Sequence, residues 1–203
     1  HAQEADVTYP ATVKVGNPGN AADGSGFGGV PYAYRICKYE VTNKEYSEFL
    51  NAADKSGANG LWRGQMGGNE YGGITRSGNY GSYKYTVKTG MENKPVVLVN
   101  WNETLRFCNW LSGGGGNADL DKGAYEFVDE WGVKTVKMPD HKKLAAGDKT
   151  VWVLASENEW YKAAYYDPEK SGGQGGYWAF PTRSDHMGGA ALGNGGPTDV
   201  GTY

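Results

Sequence analysis

The chain has 203 residues, with 20 Lys and Arg against 23 Asp and Glu, a net charge of −3 and an isoelectric point near 5.7. No basic stripe is available for a phosphate backbone, since no cationic cluster exceeds the "HKK" of 141–143, so nucleic acid is not expected as a partner. Nor does any apolar run approach the roughly 18 residues of a membrane helix, and the length suits one domain with a real core.

The 33 glycines come with 13% aromatic residues, and 15 Tyr and 7 Trp outnumber 5 Phe. Disordered chains are poor in aromatics, so this balance predicts a loop-rich fold held by amphipathic rings. At the N-terminus "HAQ" reads as what remains after removal of a secretory signal, and export is the expectation. Cys37 and Cys108 permit at most one internal disulfide, and a pair or two buried thiols both stay open.

In chain order, "VPYAYRICKYEV" (30–41) alternates Tyr32, Tyr34 and Ile36 against Cys37, Tyr39 and Val41 once a slip near Ile36 is allowed, which predicts a bulged strand. Thr42 and Glu45 then form a T-x-x-E capping box, and Tyr46, Phe49, Leu50 and Ala53 make one apolar stripe on the helix that follows. From 56 to 95 the sequence is glycine-punctuated and polar. Its hairpin signal is clearest in "GSYKYTVKTG", where Tyr83, Tyr85 and Val87 share a face.

The design repeats in "KPVVLVNWNETLRFCNWLSGGGG". A strand over Val96 to Val99 is expected to lead to a helix from near Asn102, with Thr104, Phe107, Cys108 and Leu111 inward and glycines as the stop. Residues 117–150 read as a polar insertion with short strands at Tyr125 to Val128 and Lys134 to Met138. A third unit has a strand at Val151 to Leu154, a second capping box from Ser156 and Glu159, and a helix with Trp160, Ala163 and Ala164 inward, ended by Asp167-Pro168. After 168 turns predominate. Few helices among short strands and long loops place the chain in the α+β class.

Asn117, Asp119 and Asp121 alternate like the ligands of a calcium loop. Lys122 and Val128, however, stand where such a loop has glycine and a bidentate glutamate, so a polar turn is expected. His1, His141 and His186 lack metal-ligand spacing and read as exposed. No G-x-S-x-G, phosphate-loop or H-E-x-x-H pattern occurs, and Glu157 and Glu159 are accounted for by the helix start, where carboxylates oppose the dipole.

"KYEVTNKEYSEFLNA", "KPVVLVNWNETLRFCNWLS" and "LASENEWYKAAYYDP" followed by "YWAFPTRSD" resemble, in order and spacing, the formylglycine-generating enzyme (sulfatase-modifying factor) family, especially its secreted bacterial members. The resemblance covers roughly 28–203, with 1–27 as an N-terminal extension. It implies a variant of the C-type lectin fold with few short helices, short strands and extensive loops. In that family two thiolates bind Cu(I), a soft metal matched to soft sulfur. The cysteine-bearing segment that carries them has no counterpart here, where the chain stops at "GGPTDVGTY". Cys37 and Cys108 do not match those positions, and catalytic copper is not expected. Cys108 matches a structural position. The resemblance also implies calcium in the C-terminal loop, through Asp185, Asn194 and Asp199.

The resulting expectation is a secreted or cell-surface protein, with the periplasm as the alternative compartment, that is structural or binding in role and not catalytic. Its partners would be other copies of itself, through sheet edges left open, in an extracellular fibre or surface layer. Two alternatives remain: the N-terminal part of a copper-dependent formylglycine-generating oxidase, or a carbohydrate-binding module. In the latter, aromatics of 61–87 and 177–183 would stack on sugar faces, so glycan is the second candidate partner.

Overall fold

A computed structural model describes residues 7–186. The elements begin with β1 (Thr12–Val15), β2 (Tyr34–Cys37), α1 (Asn43–Ala53), α2 (Gly64–Gly68), β3 (Ile74–Ser77) and β4 (Lys84–Val87). They continue with α3 (Trp101–Ser112), β5 (Glu126–Glu130), β6 (Val133–Lys137) and α4 (His141–Ala145), and end with α5 (Glu157–Tyr165), β7 (Tyr166–Asp167), α6 (Lys170–Gly173) and β8 (Gly176–Tyr177). Among the described residues the strands form four two-stranded sheets, β1-β2, β3-β4, β5-β6 and β7-β8. The α+β expectation therefore holds. The chain divides into two compact units, one of residues 1–12 and 39–154, the other of 13–38 and 155–203.

In the first unit Thr42 caps α1 through the expected box, its backbone N–H donating to Glu45 Oε2 at 2.8 Å and its Oγ1 accepting from Glu45 N. The predicted stripe buries Tyr46, Phe49 and Leu50 against Phe107, Trp110 and Leu111 of α3 and Ile74 and Tyr85 of the β3-β4 hairpin. Ring centroids of Tyr46, Phe49, Phe107 and Trp110 lie 5.3 to 6.0 Å apart, mostly tilted or edge-on, the geometry that aromatic quadrupoles favour.

α3 begins at Trp101, one residue before the expected start, because Asn100 caps it in a box with Glu103. Thr104 is not part of its packed face. Its hydroxyl donates back to Asn100 O, and Leu105 is buried with Cys108 and Tyr125 on a second face.

Two expected strands are absent. Val96 to Val99 is irregular, since Leu98 has φ 65°, and it is tied down by the bridge between Thr42 and Pro95, the bond from Val96 N to Val41 O and the bond from Arg63 Nη1 to Leu98 O. Val151 to Leu154 forms no strand, and side chains bond to its backbone instead. Trp152 N donates to Ser112 Oγ, Ser112 Oγ donates to Trp152 O, and Leu154 N donates to the Tyr125 hydroxyl. The insertion does form the expected hairpin, with Glu126 opposite Lys137 and Glu130 opposite Val133. At its tip Trp131 and Gly132 both have positive φ, 58° and 81°, the signature of a two-residue primed turn.

Buried Asn43 and Asn109 and half-buried Asn51 carry much of the loop structure. Asn109 Nδ2 donates to Leu120 O and Tyr125 O while its Oδ1 accepts from Tyr125 N. Asn43 Nδ2 reaches Met91 O and Lys94 O, and Asn51 pairs with both backbone groups of Tyr85. Each amide stands in for a missing strand, as buried backbone groups require.

In the second unit Ser156 and Glu159 form the expected box at the start of α5. Trp160, expected inward, is 55% exposed, and the buried side chains of this helix are Glu159 and Lys162. Polar contacts decide the orientation. Asn158 Oδ1 accepts from Gly28 N, Glu159 Oε1 from the Tyr32 hydroxyl and Glu159 O from the Tyr34 hydroxyl, and Lys162 Nζ donates to Asn17 O.

Candidate ligand-binding site

The site begins in the turn "DGSGFG" (23–28). Asp23 Oδ1 accepts from Ser25 N at 2.8 Å and from Ser25 Oγ at 2.5 Å, and Oδ2 accepts from the Tyr161 hydroxyl on α5. Hydrogen bonds from Ser25, then from Tyr161, hold the Asp23 carboxyl at about 2. The same contact with Asp23, followed by burial, pushes the Tyr161 phenol up.

Tyr177 comes from β8, which pairs with β7 so that Tyr166 faces Tyr177. Its ring centroid lies 5.6 Å from Tyr161 and 5.1 Å from Tyr166. The hydroxyl accepts from Asn20 Nδ2 at 2.6 Å and donates to Ala21 O at 3.0 Å. Burial pushes its phenol up to about 12. This placement needs a glycine at 28. There φ is +86°, and a Cβ would meet the Tyr177 ring at 2.5 Å.

Trp178 follows, with Nε1 donating to Asp167 Oδ2 and the Lys170 ammonium 4.1 Å from its ring centroid. Lys170 Nζ donates to Tyr177 O at 2.6 Å and to Asp185 Oδ1 at 2.8 Å, and Asp185 Oδ1 also accepts from Ala179 N. The ammonium holds the Asp185 carboxyl below its ordinary value. Arg183 does the same for Asp167, with Nη2 at 2.5 Å and Nε at 3.1 Å from Oδ2.

These side chains surround an open cavity of about 480 Å³, lined by Asp23, Gly24, Tyr161, Tyr177, Trp178, Ala179 and Asp185. It offers ring surfaces beside carboxylate and phenol oxygens, the composition of a site for a small amphipathic ligand. Its carboxyls ionise well below neutrality and its phenols well above, so these groups are poorly matched to proton transfer near pH 7.

Of the residues singled out in the sequence, Asp185, Tyr177 and Trp178 are brought together here. Asn194 and Asp199 lie outside the described residues, as does His1. Asp185 does not by itself make a calcium site, because its Oδ1 already takes an ammonium and an amide N–H, whereas calcium takes six to eight oxygens. Among the described residues no group of three or more His, Cys, Asp or Glu side chains could hold a metal ion. Cys37 is half-buried on β2 and Cys108 buried on α3. The 117–126 segment is a polar turn, with Asp119 Oδ1 accepting from Asp121 N and Asp121 paired to Arg106 at 2.7 Å. His186 is exposed and His141 half-buried. The sequence reading missed Asp23 and Tyr161. The Asp-Gly-Ser turn was a local signal for the first; nothing local pointed to the second.

The sulfatase-modifying factor enzyme 1-like domain model matches residues 19–191, and the chain belongs to this family. Membership gives the α+β architecture its setting, a formylglycine-generating-enzyme-like fold. Over 84 residues the chain is also similar to the protein translocase subunit SecA of Nitrosomonas eutropha, at 30% identity, and of Acidovorax ebreus, at 32%. Each match covers 41% of this chain and 9% of the relative, so the chain spans under a tenth of those proteins. No solved structure matches the chain.

Proposed function

We propose that the protein is an exported, non-catalytic binding module on its family's scaffold, and that the cavity of the second unit holds a saccharide. The carrying observation is a ring-walled cavity in which Tyr161, Tyr177 and Trp178 stand beside Asp23 and Asp185. Sugar C–H faces stack on rings, and ionised carboxylates accept from hydroxyls. Family membership alone supports the copper-oxidase reading.

A glycan array probed with the wild-type protein and with Trp178→Ala tests this. Retention of oligosaccharides by the wild type and their loss in a variant that still melts cooperatively is the expected result. No retained glycan, or equal retention by both, would overturn it.

Self-assembly is the second reading, and one observation favours it. Trp131 is fully exposed at a hairpin tip where φ is positive, an expensive conformation for a bulky residue, and Val133 beside it is also exposed. A ring kept there against its backbone preference is suited to burial in a second copy.

A further inference from the structure

The charges around the cavity do not balance. Asp185 is neutralised by the Lys170 ammonium. Asp23 is ionised too, yet the groups that bond to it among the described residues are neutral: the Ser25 hydroxyl and amide, the Phe27 amide and the Tyr161 hydroxyl. Among the described residues, one negative charge is thus left over at the cavity wall.

The cavity also shows how it accommodates a cation. Lys170 Nζ lies over the Trp178 ring, donates to the backbone carbonyl of Tyr177 and pairs with Asp185. A ring face, a carbonyl and a carboxylate together replace its water. Around Asp23 the same kinds of group recur in the rings of Tyr161 and Tyr177 and the carbonyl of Ala21, which already accepts from the Tyr177 hydroxyl. The remaining charge and this surrounding suit a second ammonium.

We propose that the ligand of this cavity is an amino sugar carrying a protonated amine, seated against Asp23 with its ring on the aromatic wall. The inference rests on the saccharide reading above and adds the charge. Lys170 and the ligand amine then occupy separate carboxylates, so neither displaces the other. Neutral sugars of the same shape keep the stacking and lose the ion pair.

Titration calorimetry of the full chain at mildly acidic pH tests this with three tetrasaccharides: the glucosamine tetramer, its fully N-acetylated form and cellotetraose. The glucosamine tetramer should bind about tenfold more tightly than the other two, in the range of a partly desolvated cation beside rings and a carboxylate. Asp23→Asn should bring it to their level. Since Asp23 also closes the 23–28 turn, a salt series on the wild type provides a second measurement. The preference should shrink as salt rises, while the affinity of cellotetraose stays constant.

Equal binding of all three would overturn the amine and leave the saccharide reading standing, whereas no binding of any would overturn both. A preference that survives high salt, or survives in folded Asp23→Asn, would also overturn the assignment to Asp23.

Discussion

Gly28 is the residue on which the candidate site turns. Its positive φ and the Tyr177 ring that occupies the space of a side chain exclude even a methyl group. Gly28→Ala should cost about 1 to 3 kcal/mol through strain and displacement of Tyr177, read by denaturant unfolding, and should weaken ligand binding in the same protein. Lys162 makes a second prediction. It is 1% exposed, and burial lowers its folded-state pKa below the unfolded value of about 10.4. Between those two values the unfolded chain binds more protons, so Lys162 makes stability rise with pH across that window. Lys162→Met should flatten that slope in unfolding curves taken as a pH series. Tyr177 acts oppositely higher up. Its folded value of about 12 exceeds the ordinary value of about 10, so its contribution is lost as pH rises through that interval. On the acid side Asp23 is depressed to about 2, and its contribution, complete above about 4, disappears as pH falls toward 2.

At the scale of elements, the three capping boxes of α1, α3 and α5 each satisfy helix N–H groups with residues three apart. Thr42→Ala should cost about 1 kcal/mol on thermal unfolding and leave saccharide binding unchanged in folded protein. Trp131→Asn should do the reverse of most substitutions. Asn tolerates positive φ in a primed turn, so stability should rise by about 1 kcal/mol, while any self-association measured by sedimentation equilibrium should weaken. Association unaffected by this change would remove the hairpin tip from the assembly reading. The caps of α1 and α5 and the β5-β6 hairpin were legible because their information is local. The orientation of α5 was not: hydropathy put Trp160 inward, but the partners of Asn158, Glu159 and Lys162 come from residues 17–34, more than a hundred positions away. The missing strands at 96–99 and 151–154 have the same origin. Both read as apolar runs, and whether such a run pairs with backbone or with Ser112 and Tyr125 side chains is decided by tertiary structure. Tyr177 and Trp178, which are half-buried, could be singled out as loop aromatics; that Asp23 would face Tyr161 across 138 positions could not.

At the scale of the molecule, the second unit is discontinuous, made of residues 13–38 and of 155 onward, with residues 39–154 assigned to the first. Closing so long a loop is entropically costly before any contact across it is gained, which makes the second unit the slower of the two to form. Refolding followed by tyrosine fluorescence should show an earlier phase abolished by core changes such as Phe49→Ala and a later one sensitive to Tyr161→Phe. The order matters most on the ribosome. Residues of the first unit are complete before Tyr161, Tyr177 and Trp178 have been made, so Asp23 and its turn must wait for the last part of the chain. A chain cut short by translation arrest or proteolysis anywhere before 185 would thus lack part of the candidate site, and under the proposed function ligand capture would double as a selection for chains synthesised past that point.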